Sequence, residues 1–398
     1  MDVLSRAHRL EAAGRRVIHM EIGEPDFTAP APVVEAAVRA LREGRTAYTA
    51  ALGLPALREA IAAYYGSCYS RKITPERIAI TSGASGGLLV TLALYVNPGD
   101  EMLVPDPGYP GYRHMVRAFE GVARPLQVSP ASGYQPTLEM VRAAWGRRTK
   151  GLLLGSPANP TGTLIARMEL EKIARFIAAR GGVLIVDEIY QGLTYARPGG
   201  ETAATALGLP GEVAVINSFS KYFCMTGWRL GWVVLPKPPR MRAFEKLVQH
   251  LFICAPTAAQ HAALACFLPA TLKILEERRL EFGRRRDFLV PALERAGLRV
   301  PVWPSGAFYA YAACPAGMDG RRFALELLER EGVAATPGID FGSNATRGCV
   351  RFAYTCGMAE LEEAAQRLER FVAGRIRPRA RGAAASAIAR GARARRAP

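Results

Sequence analysis

No apolar run in this 398-residue chain approaches the ~20 residues that span a bilayer, so a membrane role is not expected. The first residues, Met1-Asp2-Val3-Leu4-Ser5-Arg6, lack the apolar stretch of a secretory leader. The default expectation is therefore a cytoplasmic protein. Cysteine is sparse: the seven thiols form no CxxC pair, and their odd number argues against a complete disulfide framework. Histidine is sparser still, five residues with no HExxH or other ligand spacing, so no metal is expected. Acidic residues are in deficit, 35 against 52 basic, for a net charge of +17. Eight of those excess charges are arginines of the acid-free stretch 375–398, which leaves nine for the rest. That stretch is rich in Arg, Ala and Gly and builds no core, so it reads as a solvated, disordered tail. It lacks the interleaved aromatics of a single-strand binder, which argues against nucleic acid as the partner.

What is present is a 49% apolar body, long enough for one large domain and a smaller one. Apolar runs at Ile78–Ile80, Glu101–Val104, Gly151–Leu154, Val183–Val186, Val213–Ile216 and Gly231–Leu235 read as buried strands. Segments of helical spacing such as Leu170–Ala179 lie between them. The alternation predicts an α/β fold: a large domain with a mostly parallel sheet sandwiched by helices, plus a smaller α+β domain. In that second part, helices are expected at Phe282–Ala296, Arg321–Glu331 and Ala359–Ala373. Strand-like runs lie at Val300–Trp303, Ala307–Ala312, Val333–Thr336 and Cys349–Tyr354. The expected division is 1–44 as an N-terminal segment joined to the small domain, 45–281 as the large domain, 282–374 as the small domain and 375–398 as the tail.

The chemistry is concentrated after one strand. Lys221 stands in Ser218-Phe219-Ser220-Lys221-Tyr222-Phe223-Cys224-Met225-Thr226-Gly227-Trp228-Arg229, directly beyond the run Val213–Ile216. Most lysines after a strand merely solvate the surface. A poorly hydrated one can lose its proton, attack a carbonyl and form a Schiff base. The hydroxyls of Ser218 and Ser220 and the guanidinium of Arg229 are groups that hold a phosphate. An aldehyde that carries a phosphate is pyridoxal 5'-phosphate. The whole string resembles the cofactor-attachment site of class I/II aminotransferases of fold type I, the aspartate aminotransferase-like superfamily. Cys224 departs from the pattern, at a position where that family usually has a smaller residue.

Other segments carry the same resemblance. Asp187 ends the run Val183–Val186, where a carboxylate can keep a pyridine nitrogen protonated; a helix cap or ion pair is the plainer role. Asn159, in Asn159-Pro160-Thr161-Gly162, would ordinarily mark a turn. Here its amide can donate to the cofactor's phenolate oxygen and touch the substrate carboxylate, and in the family the Asn-Pro bond tends to be cis. Thr81-Ser82-Gly83-Ala84-Ser85-Gly86-Gly87 is a small-residue strand–helix turn that suits a phosphate, with Gly83 and Ala84 the best placed. It has neither the GK[ST] of a nucleotide loop nor the GxGxxG of a dinucleotide fold. Arg351, among apolar neighbours in Cys349-Val350-Arg351-Phe352-Ala353-Tyr354, needs an anion to justify burial and can grip a carboxylate. The resemblance further implies that Tyr190 bonds the phenolic oxygen, that Tyr109 stacks on the ring and that Gly23 belongs to a segment closing over substrate. It also implies that Tyr48 reaches the phosphate of the neighbouring subunit, hence a two-fold homodimer.

The implied reaction is transfer of an amino group from an L-amino acid to a 2-oxo acid by a ping-pong mechanism through Lys221, with Asp187 and Tyr190 as the other catalytic residues. The same site chemistry suits a carbon–sulfur lyase, which stays open as an alternative. The effector-sensing half of a transcription regulator is disfavoured, because the motifs begin near residue 20. Ser85 stands where aspartate-preferring relatives often carry a lysine. That puts strict aspartate preference in doubt and leaves glutamate/2-oxoglutarate a family-level expectation only.

Overall fold

The computed structural model describes residues 2–195, 205–236, 238–315 and 317–376. At its centre is a seven-stranded sheet. The strand order is Ile78–Thr81, Gly231–Val234, Glu212–Ser218, Val183–Asp187, Thr149–Gly155, Glu101–Asp106 and Val122–Gln127. Only Gly231–Val234 runs against the others. Every residue of Ile78–Thr81, Val183–Asp187 and Gly231–Val234 is buried. That is why these strands are continuous apolar runs rather than alternating ones: helices cover both faces. Each such Val, Leu or Ile stabilises the fold by about 1.5–3 kcal/mol through burial. Gly151 is required where it sits, because a Cβ there would overlap the backbone and side chain of Val183.

The carboxyl ends of the parallel strands face one edge. Asp106, Gly155, Asp187 and Ser218 therefore emerge side by side, with Thr81 beyond them. Ligands of open α/β sheets lie at this edge.

A second, antiparallel sheet has the order Thr336–Pro337, Cys349–Ala353, Tyr309–Ala313. Ile18–His19 pairs in parallel with Val333–Ala334 as a separate two-stranded sheet. The Asp2–Ala12 helix seats Val3 and Ala7 against Leu328 and Ala334. From there residues 20–29 run back across the sheet edge. Ala353 N donates to Met20 O at 2.7 Å, and Arg285 grips the Asp26 carboxylate with two bonds of 2.8 and 3.0 Å.

Three expectations are corrected. The helix expected at Phe282–Ala296 is the second half of a 27-residue helix, Pro269–Arg295. Its first half carries the charged run Glu276-Glu277-Arg278-Arg279, which hides the apolar period behind Leu275. Val300–Trp303 forms no strand; only an isolated bridge from Arg299 to Ala313 lies there. Val333–Thr336 splits between two sheets. One strand was not anticipated. Val122–Gln127 is a largely exposed edge strand that contains Pro125, a residue that reads against a strand. Beyond the backbone at 375 and 376, the Arg-rich tail lies outside the described residues.

Arg285 is 4% exposed, and Asp26 is its link to the segment crossing the site. Replacing Asp26 by Ala removes two charge-assisted bonds. It is expected to lower unfolding free energy by about 2 kcal/mol, as measured by urea denaturation.

Candidate active site

A cavity of about 340 Å³ opens at the carboxyl edge of the large sheet. Its walls bring together Gly23, Ala84, Tyr109, Asn159, Asp187, Tyr190, Ser218, Ser220, Lys221, Arg229 and Arg351, eleven of the residues singled out in the sequence. Gly83 stands just behind. It opens the helix Gly83–Tyr95 with φ +72°, and a Cβ there would lie 2.8 Å from Arg229 Nη2. Glycine thus lets the helix start, with its free N–H groups, approach the guanidinium closely. Tyr48 is not brought in: the residue is 79% exposed and does not line the cavity of its own chain.

Lys221 lies just past the Glu212–Ser218 strand. The loop is fixed by Ser218, whose hydroxyl donates to Leu230 O and accepts from Ser220 N at 3.0 Å. Lys221 Nζ donates to Gly23 O at 2.6 Å. The surroundings of the amine are almost wholly protein, and this burial pushes it down to about 8, the Arg351 and Arg229 guanidiniums adding to the effect. Glu24 and Asp187 oppose it. At neutral pH an appreciable fraction of the amine is therefore free base.

Asp187 is 4% exposed. Burial pushes its carboxyl up to about 6, against the stabilising bonds from Tyr112 Oη (2.8 Å) and Ile189 N (3.1 Å) and the nearby lysine. A cation placed against it would complete its pairing. Tyr190 Oη lies 2.8 Å from Tyr309 Oη, both buried. The Asn159–Pro160 bond is cis, and Asn159 Oδ1 accepts from Arg351 Nη1 at 2.9 Å. Arg351 Nη2 donates to Glu21 O at 2.6 Å and to Thr336 Oγ1 at 3.2 Å, whereas Nε is buried with no protein partner. An arginine 6% exposed with an orphaned donor, facing a cavity, is prepared for an anion.

The residues present fit a phosphorylated pyridine aldehyde. There is an amine that burial makes easier to deprotonate, suited to an aldehyde, a serine–arginine–helix cradle suited to a phosphate and a buried carboxylate suited to a ring nitrogen. Tyr112, Tyr309 and Ile189 were missed in the sequence. Tyr112 follows Tyr109 by three residues at the start of the helix Pro110–Ala118, a helical neighbour spacing that could have flagged it. Tyr309 could be found only from the sheet: it sits diagonal to Arg351 across the Tyr309–Ala313 and Cys349–Ala353 pair. Tyr112 supports the ionised form of Asp187. Tyr112→Phe should therefore raise the acid-side midpoint of the pH profile of kcat/KM by about one unit.

Comparison with known proteins follows the same lines. The family described as Aminotransferase class I and II matches residues 15–368. A (5-formylfuran-3-yl)methyl phosphate transaminase of Methanocaldococcus jannaschii is 38% identical over 372 residues, covering 94% of this chain and 96% of that protein. A valine–pyruvate aminotransferase of Mycobacterium tuberculosis is 36% identical over 369 residues, 92% of this chain and 94% of the other. Among solved structures, an aminotransferase from Mycobacterium tuberculosis superposes with TM-score 0.90 at 35% identity, covering 94% of this chain and 96% of its own. The aspartate aminotransferase of Thermus thermophilus with maleate gives 0.86 at 36%, covering 93% and 95%. Fold, site and relatives agree: this chain belongs to the class I and II aminotransferases, the fold-type-I, pyridoxal-phosphate-dependent enzymes of the aspartate aminotransferase-like superfamily.

Proposed function

We propose that this aminotransferase holds pyridoxal 5'-phosphate in the cavity around Lys221 and moves an amino group from an L-amino acid with an uncharged side chain to a 2-oxo acid. The observation that carries the reading is one cavity whose wall holds Lys221, Asp187, Arg229 and Arg351 together. Bound cofactor supplies an aldehyde for amine exchange and a protonated ring that takes up electrons from the substrate. The protein groups do the rest. Lys221 Nζ would hold the aldehyde and, as a free amine at the cavity wall, would be placed to take the Cα proton of the donor. Asp187 keeps the ring nitrogen charged. Tyr190 and Asn159 steady the phenolic oxygen, and Tyr109 covers the ring. Ser218, Ser220, Arg229, Gly83 and Ala84 hold the phosphate, while Arg351 takes the α-carboxylate with Asn159 beside it.

The cations lining the cavity are Lys221, Arg229 and Arg351. Among the described residues of the single chain, none remains for a second carboxylate once phosphate and α-carboxylate are served. Gly23, Ser85 and Tyr109 are left near the donor side chain, which supports uncharged donors over aspartate. The exposed Tyr48 fits a homodimer in which its hydroxyl reaches the phosphate of the neighbouring site. Residues 1–44 and 282–374 then act as the small domain and lid against 45–281. No single helix among the described residues is long and apolar enough to cross a membrane, and we place the enzyme in the cytoplasm.

The test is a half-reaction. Protein loaded with pyridoxal phosphate is expected to show a visible band that single L-amino acids bleach, with one equivalent of 2-oxo acid released per site. Alanine or valine should act faster than aspartate. Lys221→Ala is expected to lose turnover by at least about 10³-fold. Ammonia and pyruvate accumulating under a persistent band would mark a lyase instead.

A further inference from the structure

The Arg351 guanidinium is held by more than hydrogen bonds. Its central carbon lies 4.2 Å from the centroid of the Tyr309 ring and 4.9 Å from that of Phe341. Tyr309 is 1% exposed and Phe341 3%. The first ring comes from the strand beside Arg351. The second comes from the short helical turn Gly338–Phe341, which is tied to the other sheet. Gly108 N donates to Phe341 O at 3.0 Å. The Asp106 carboxylate, at the carboxyl end of its strand, accepts from Ser343 N and Ser343 Oγ at 3.0 Å and from Asn344 N at 3.2 Å. Asn344 Nδ2 donates back to Asp106 O and Val128 O. Gly342 packs so closely on the Asp106 carboxylate that no side chain fits there.

We propose that Tyr309 and Phe341 are positioning residues that clamp Arg351 as a flat, pre-oriented receptor for the substrate carboxylate, and that Asp106, at the end of a strand of the large sheet, sets the second jaw by direct bonds to its turn. Two rings against a guanidinium fix its plane. Its Nη1 and Nη2 are already tied to Asn159, Glu21 and Thr336, so the plane decides where the free donor edge points. A loosely held arginine would have to be ordered each time a carboxylate binds, and that ordering would be subtracted from affinity. Asp106 touches no reacting group. It acts on the substrate only through the 341–344 turn. The clamp rests on Arg351 being the carboxylate site.

The experiment compares Arg351→Leu, Tyr309→Leu, Tyr309→Phe, Phe341→Leu and Asp106→Ala in the cofactor-loaded, full-length enzyme, with KM and kcat measured for alanine. Thermal melts and the visible band confirm folding and loading. Phe341→Leu should raise KM about fivefold to twentyfold with kcat within about twofold, because carboxylate binding is shared by ground and transition states, and Tyr309→Leu should raise KM similarly while lowering kcat as well through the lost bond to Tyr190. Tyr309→Phe keeps the ring and should stay within about twofold in KM. Asp106→Ala should match Phe341→Leu, and the double variant should be no worse than either, since both act through one jaw. If Arg351→Leu raises KM while both leucine variants with intact visible bands leave it unchanged, the clamp is overturned and the aminotransferase reading stands. If Arg351→Leu also leaves KM unchanged, the carboxylate assignment falls and the clamp with it.

Discussion

Everything at this site depends on keeping the Lys221 amine out of water. Burial is the largest influence on it, and two neighbouring guanidiniums push in the same direction. The arrangement is costly as it stands: three cations share one cavity, answered by the buried Asp187 and by Glu24 at the rim, which Thr226 holds. An anionic phosphate and a substrate carboxylate supply the missing charge. Cations that would repel one another become receptors once each has its own anion.

The fold makes this possible by separating construction from chemistry. The inner parallel strands are buried on both faces along most of their length and carry mainly apolar side chains there, the edge strand Val122–Gln127 being the exception. Polar residues are admitted at their carboxyl ends, and there Asp106, Asp187 and the Ser218–Lys221 loop appear. The second layer contributes Arg351 and Tyr309 from adjacent strands. The crossing segment adds the carbonyls of Glu21 and Gly23, which meet Arg351 and Lys221. On the proposed reading, the residues for cofactor and for carboxylate come from different layers, which are joined by contacts such as Asp106 to the 341–344 turn.

Much of this was legible in the chain. Lys221, Asp187, Asn159 and Arg351 each follow or lie within an apolar run, and a charged residue displaced from water at such a place needs a reason. The six central strands were readable because burial on two faces leaves no polar interruptions. The edge strand Val122–Gln127 was not, because exposure and Pro125 erase the signal that burial creates. The long helix Pro269–Arg295 was half hidden by its charged face. Tyr112, Tyr309 and Phe341 are ordinary aromatics in the sequence; only register across a sheet or a latch between layers shows what they support.

The most direct test is to titrate the Lys221 amine itself in cofactor-free protein, by the pH dependence of its reductive methylation against the Lys221→Ala background. Half-maximal reactivity near pH 8, some two units below a solvated lysine, is the outcome this account predicts. A midpoint near 10.5 would show a hydrated, ordinary ammonium and would contradict the desolvated amine on which the site is built.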